Sequence, residues 1–135
     1  MKNIFLSIFV IIILASCSSV ATSKKLGSSQ PSIAGSNWVL SDNVKGVSVP
    51  TLKIQDGKIN GNASCNDYFG ELVMDSSKGS FSVGKMAVTK KVCSNISVEV
   101  NFLEMLSQTN KYVVNGTTLE LYKDNLLLMK LNKSE

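Results

Sequence analysis

Two cysteines bracket the middle of this chain, and between them the residues spell strand, turn, strand. Cys65-Asn66-Asp67-Tyr68-Phe69-Gly70 opens the unit and Thr89-Lys90-Lys91-Val92-Cys93 closes it. Leu72, Val73 and Met74 precede a polar turn over Asp75 to Gly79, and Phe81 to Val83 follow. A hairpin read there brings its ends together, so Cys65 and Cys93 are expected to meet and staple the unit. Two free buried cysteines are the alternative. A catalytic or metal role is poorly supported, because there is no Cys-x-x-Cys, no histidine and no arginine to lower a thiol pKa.

At 135 residues and 44% hydrophobic content, the chain has enough apolar surface for one modest domain once a targeting segment is subtracted. All fourteen basic residues are lysines. The guanidinium forks that grip phosphates and base edges are therefore missing, and no nucleic-acid partner is expected. The lysines are scattered, which reads as a solvated surface more than a polyanion-binding stripe.

Lys2 precedes an apolar run from Ile4 to Leu14 that is interrupted only by Ser7. That run is too short for a spanning helix of about 20 residues and reads as a secretory signal, residues 1–16. Leu14-Ala15-Ser16-Cys17 follows and resembles the lipobox of bacterial lipoproteins, which implies cleavage before Cys17 and acylation of that residue, palmitate included. Ser18 in place of an aspartate implies the outer membrane, facing the periplasm, under the sorting rule of enteric lipoproteins. From Ser18 to Gly35 the chain is rich in serine, threonine, lysine and glycine. Residues 17–35 thus read as a lipidated cysteine and flexible tether, reaching on the order of 20 to 25 Å from the bilayer.

The folded part, residues 36–135, begins with Trp38 and Leu40 alternating with polar neighbours, Trp38 as a core anchor. Val49 to Ile54 and Lys58 to Asn62 flank an Asp56-Gly57 turn, and the central pair follows. Between Cys93 and Asn110 the period changes: Ile96, Val100, Leu103 and Leu106 recur at helical spacing, with Ser94 or Ser97 as candidate N-cap. Glu99 and Glu104 are assigned to the solvated outer face. Three closing strands lie around Asn115-Gly116 and Asp124-Asn125. Leu126-Leu127-Leu128-Met129 reads as a strand buried on both sides, or else as a covered edge. Mainly β with one α-helix is the class this implies, a curved antiparallel sheet or half-open β-barrel wrapped around the single helix.

Trp38, Cys65-Asn66-x-Tyr68-x-Gly70, Thr89-Lys90-x-x-Cys93, Phe102-Leu103 and the Leu119 to Leu121 strand together resemble the META domain (HslJ-like) family over residues 36–131. Family members commonly show Gly-Cys-Asn where this chain has Ser64-Cys65-Asn66. The resemblance implies a half-barrel cradling a helix, similar in shape to pilot lipoproteins of type III secretion, and stress-associated envelope lipoproteins without an established enzymatic activity, cofactor or ligand.

Asn66 and Thr89 read as backbone-satisfying turn residues. Tyr68 and Phe69 are placed on the rim of a groove between sheet and helix. Two functions stay in play. One is a non-enzymatic, monomeric envelope module, membrane-attached through Cys17, that binds a protein partner or an acyl chain. The other is a thiol-dependent envelope enzyme or redox protein using Cys65 and Cys93. No metal and no cofactor is expected under the first.

Overall fold

A strand that pairs on one side only leaves a row of N–H and C=O groups open, and this chain solves the problem by closing its sheet. The computed structural model describes residues 25–42, 45–94 and 96–135. The signal segment and Cys17 lie outside the described residues. Eight strands and one helix follow in the order β1 (Ser36–Leu40), β2 (Thr51–Gln55), β3 (Lys58–Asn62), β4 (Asp67–Asp75), β5 (Ser80–Val88), α1 (Ser97–Gln108), β6 (Lys111–Asn115), β7 (Thr118–Lys123) and β8 (Leu126–Ser134). Each strand pairs antiparallel with its neighbour in sequence. β8 then returns to β1 with Trp38 opposite Lys133 and Leu40 opposite Leu131, which closes the barrel.

The half-open sheet expected from the sequence is thus corrected to a closed eight-stranded antiparallel barrel; the mainly β composition with one helix stands. The reason is β8. Its nine residues are long enough to pair with β7 and with β1, so both edges find a partner. The helix is a side element instead of the axis around which the sheet wraps. β5 and β6 share one register pair, Ser80 with Lys111, with backbone bonds from Phe81 N to Asn110 O (3.1 Å) and from Tyr112 N to Gly79 O (2.9 Å). Beyond that narrow seam α1 packs along β5. It sends Phe102 and Leu106 into the core, 1% and 0% exposed.

Alternation along the strands fills the interior, with Trp38, Leu52, Ile54, Leu119, Leu121 and Leu131 all buried. Two register slips adjust it. Between Gly70 and Leu72 the partner strand β5 carries an extra residue, so Phe81 and Val83, then Met86 and Val88, all turn toward the core. Between Leu121 and Tyr122 the extra residue falls on β8, and the strand's first part turns over. The expectation that residues 126–129 are buried on both sides is corrected accordingly: Met129 is buried, whereas Leu126 and Leu127 are 64% and 38% exposed.

Part of the segment expected to be a free tether is docked. Gln30 and Ile33 are buried. Gln30 donates its backbone N–H to Ser76 O (2.7 Å), and its Oε1 accepts from Val114 N (3.1 Å). Tyr112 donates its hydroxyl to Pro31 O (3.0 Å). Gly79 sits under this strap at φ +61°, where an added Cβ would approach Ser28 O at 3.0 Å and Tyr112 O at 3.1 Å. Both the backbone conformation and the space require glycine there.

Candidate functional site

The turn from β3 to β4 is built around Ser64, which takes φ +102°. A side chain there costs on the order of 1–2 kcal/mol relative to glycine. Ser64 N donates to Asn62 Oδ1 (2.9 Å), which holds the strained residue in place. The serine that stands where the Gly-Cys-Asn form has glycine thus takes a positive φ, a region that glycine enters without strain.

Asn66 follows, 5% exposed, and its polar groups are engaged in several directions. Its N–H donates to Glu99 Oε2 (2.7 Å) and its carbonyl accepts from Ala63 N (2.8 Å). Its Oδ1 accepts from Thr89 Oγ1 (2.9 Å) and Lys91 N (2.6 Å). Its Nδ2 donates to Glu99 Oε1 (3.1 Å) and Lys91 O (3.3 Å). One short amide thereby joins the β3–β4 turn, the segment after β5 and the first turn of α1. Thr89 extends the clamp: its Oγ1 accepts from Asp67 N (3.1 Å) and its N–H donates to Asp67 O (3.0 Å). The sulfurs of Cys65 and Cys93 lie at bonding distance alongside, with Cα atoms 6.3 Å apart, inside the range a disulfide spans.

Glu99 was assigned to solvent from the sequence; it is 8% exposed and accepts both Asn66 bonds. Its place in the first helical turn is the only sequence signal of this role, since acidic groups there meet unpaired helix N–H groups. The partner is thirty-three residues upstream, beyond the reach of a local pattern. Glu104 is exposed as expected and accepts from Gln108 Nε2 (3.1 Å). The helix begins after Ile96 at the N-cap position, in place of the serine cap expected at Ser94 or Ser97.

Asp67 lies at the outer rim of the clamp. Its carboxyl is held below the ordinary aspartate value, first by the hydrogen bond from Asn62 Nδ2 (2.8 Å) and then by Lys91 Nζ at 3.1 Å. Both side chains of that ion pair are more than half exposed, so its contribution to stability is small.

The other motif positions turn inward. Tyr68 is 1% exposed, donates to Thr51 O (2.8 Å) and meets Phe102 edge-on at 5.7 Å between ring centroids. Burial raises its phenol well above the usual tyrosine value. The placement of Tyr68 on a groove rim is corrected: it is core, because even-numbered β4 positions face the barrel interior. Phe69, next to it, points outward at 60% exposure. Gly70 makes room for Met86, whose Cγ would lie 3.0 Å from an added Cβ.

The space beside the clamp is a shallow cleft of about 250 Å³ lined by Lys45, Val47, Ser48, Ser64, Cys65 and Cys93 among others. Its chemistry is hydroxyls, one lysine and the paired sulfurs. The two sulfurs lie at bonding distance from each other, and a disulfide offers no thiolate nucleophile. Among the described residues no group of three or more His, Cys, Asp or Glu side chains is placed to hold a metal ion. Among the same residues, no helix is long and apolar enough to cross a membrane.

The family model for the META domain matches residues 31–135. Among solved structures, the chain is similar to a protein from Burkholderia xenovorans determined by NMR, at 20% identity and TM-score 0.62, with 76% of this chain and 83% of that one covered. It is also similar to the crystal structure of a DUF4847 family protein from Bacteroides vulgatus ATCC 8482, at 14% identity and TM-score 0.55, covering 76% and 93%. At these identities the likeness concerns the fold. Comparison with curated proteins gave no match.

Proposed function

The chain belongs to the META domain family, and from that premise we propose that it is a non-enzymatic, lipid-anchored module of the bacterial cell envelope that engages a protein partner through the outside of its barrel. One observation carries the choice of surface. Phe69 and Val73 stand on the same outward face of β4 at 60% and 73% exposure, with Ala87 of β5 opposite Phe69. Apolar side chains of that size are usually withdrawn from water, and an exposed set on one face suits a protein contact.

The interior argues against the groove expected from the sequence. Trp38, Tyr68, Phe81, Phe102 and Tyr112 occupy it, so an acyl chain has no lumen to enter. The motif residues are satisfied by one another, which supports an architectural role for Asn66 and Thr89. The anchor rests on Leu14-Ala15-Ser16-Cys17 after the apolar run, with a diacylglyceryl group on Cys17 and the outer membrane as destination.

Site-specific photocrosslinking in intact envelopes tests this. A photoreactive residue in place of Phe69 should yield a discrete protein adduct that the same probe at Asn115 does not, and Val73→Asp should suppress it without lowering the melting temperature. Substrate turnover that depends on Cys65, or adducts equally abundant from Phe69 and Asn115, would overturn the reading.

A further inference from the structure

The two ends of the barrel are built differently, and only one of them receives the incoming chain. The end with the β2–β3 turn at Asp56-Gly57, the β4–β5 turn at residues 76–79 and the β6–β7 turn at Gly116 is where residues 28–35 dock. The opposite end carries the loop after β1, the Cys65-Asn66 turn, the Thr89 to Cys93 segment and the β7–β8 turn. At the first end β6 runs past the start of β5, so Val114 N has no β5 residue across from it. The Gln30 side chain fills the place of a strand there, accepting from Val114 N while its backbone N–H bonds Ser76 O. Tyr112 ties Pro31 to the same seam, Ile33 is buried in the core cluster, and Gly35 N donates to Ile54 O (2.9 Å). The strap is therefore part of the domain.

Resting on the lipid-anchor reading, we infer that this strap fixes the polarity of the barrel on the membrane: the strap end faces the lipid and the Cys65–Cys93 end faces away. The arithmetic follows from where docking begins. From Cys17 to Ser28 the chain has eleven steps, against eighteen if it were free as far as Gly35. A chain of eleven residues at flexible-linker dimensions spans about 17 to 20 Å on average and at most roughly 40 Å fully drawn out. Nine-residue strands rising about 3.3 Å per residue and inclined at about 40° give the barrel a height of roughly 20 to 25 Å. The far end accordingly lies about one barrel height further from the bilayer than the strap end. The surfaces left open to a protein partner are the clamp end and the barrel wall at the level of Phe69, with Val73 nearer the strap end beside Ala34 and the Asp56-Gly57 turn.

The test uses the full-length protein, processed in a bacterial host and reconstituted in vesicles of phosphatidylethanolamine and phosphatidylglycerol. Single labels are attached at Thr117→Cys, on the strap end, and Asn125→Cys, on the far end; both positions are exposed turn residues. Energy transfer to an acceptor on the lipid headgroups should place Asn125 about 20 Å further from the bilayer than Thr117. Equal distances, or Asn125 nearer, would overturn the polarity while leaving the anchor intact. Intact mass of the same sample separates the two claims: a mature N-terminus without a diacylglyceryl group removes the anchor and the inference built on it.

Discussion

Asn66 and Gln30 do the same work at opposite ends of the barrel. Each is an amide side chain at 5% exposure, and each supplies hydrogen bonds where strand pairing gives out. They differ in what surrounds them. Asn66 connects three elements, faces a buried carboxylate and has the Cys65–Cys93 pair alongside. Gln30 joins the strap to one turn and one strand edge. A side chain that closes a gap is worth as much as the groups it would leave unsatisfied, and that count is larger at the clamp end.

Replacement of Asn66 by alanine is expected to have the largest effect, about 3 to 5 kcal/mol, because it removes the side-chain bonds to Glu99 Oε1, Thr89 Oγ1 and both backbone groups of Lys91 at once, leaving only the main-chain N–H bond to Glu99. Urea unfolding of the mature domain measures it. Replacing Cys65 and Cys93 together by serine should cost about 3 to 4 kcal/mol in the chain-entropy model for a loop of about 29 residues, provided the pair is oxidised; thiol titration of the folded protein reports that state directly. Gln30→Ala should cost less, about 1 to 2 kcal/mol, and hydrogen exchange should quicken at Val114 while the clamp amides keep their protection. Ser64→Gly should act in the other direction, raising stability by about 1 kcal/mol through relief of the positive φ.

The smallest effect concerns the barrel wall away from both ends. Glu120 pairs across β7 and β8 with Lys130 at 2.8 Å, and that bond holds its carboxyl below the ordinary glutamate value. A depressed folded pKa means stability that is present above the unfolded value of about 4.3 and is lost as pH falls through the folded value. Thermal melts between pH 6 and pH 3 should show a decline that Glu120→Gln makes shallower, by less than about 1 kcal/mol since the lysine is half exposed.

What the sequence made legible follows the range of the interactions involved. Asp56-Gly57, Asn115-Gly116 and the change of period after Cys93 mark their turns and their helix locally, and those elements stand where expected. The approach of Cys65 to Cys93 followed from one hairpin, again a local unit. Closure of the barrel was not legible, because it depends on the register of β8 against β1, and nothing in either strand alone announces that pairing. The bulge that turns Leu127 outward is likewise decided by the partner strand. Tyr68 was misplaced because its side of β4 is set by that strand's pairing with β3 and β5. Gln30 sits among serines and a proline and reads as linker; its burial depends on an unpaired β6 N–H more than eighty residues away. Glu99 shows the same limit, a charge whose surroundings come from a distant turn.

The central claim is that the Cys65 to Gly70 and Thr89 to Cys93 motifs clamp the helix to the barrel and serve architecture. A double-mutant cycle between Asn66→Ala and Glu99→Gln, followed by urea unfolding of both single variants and the double, tests it most directly. A clamp predicts a coupling energy of at least about 1 kcal/mol, the double variant losing clearly less than the two single losses combined. Additivity within about 0.3 to 0.5 kcal/mol would contradict it, since two residues joined by the bonds described here cannot then be acting as one unit.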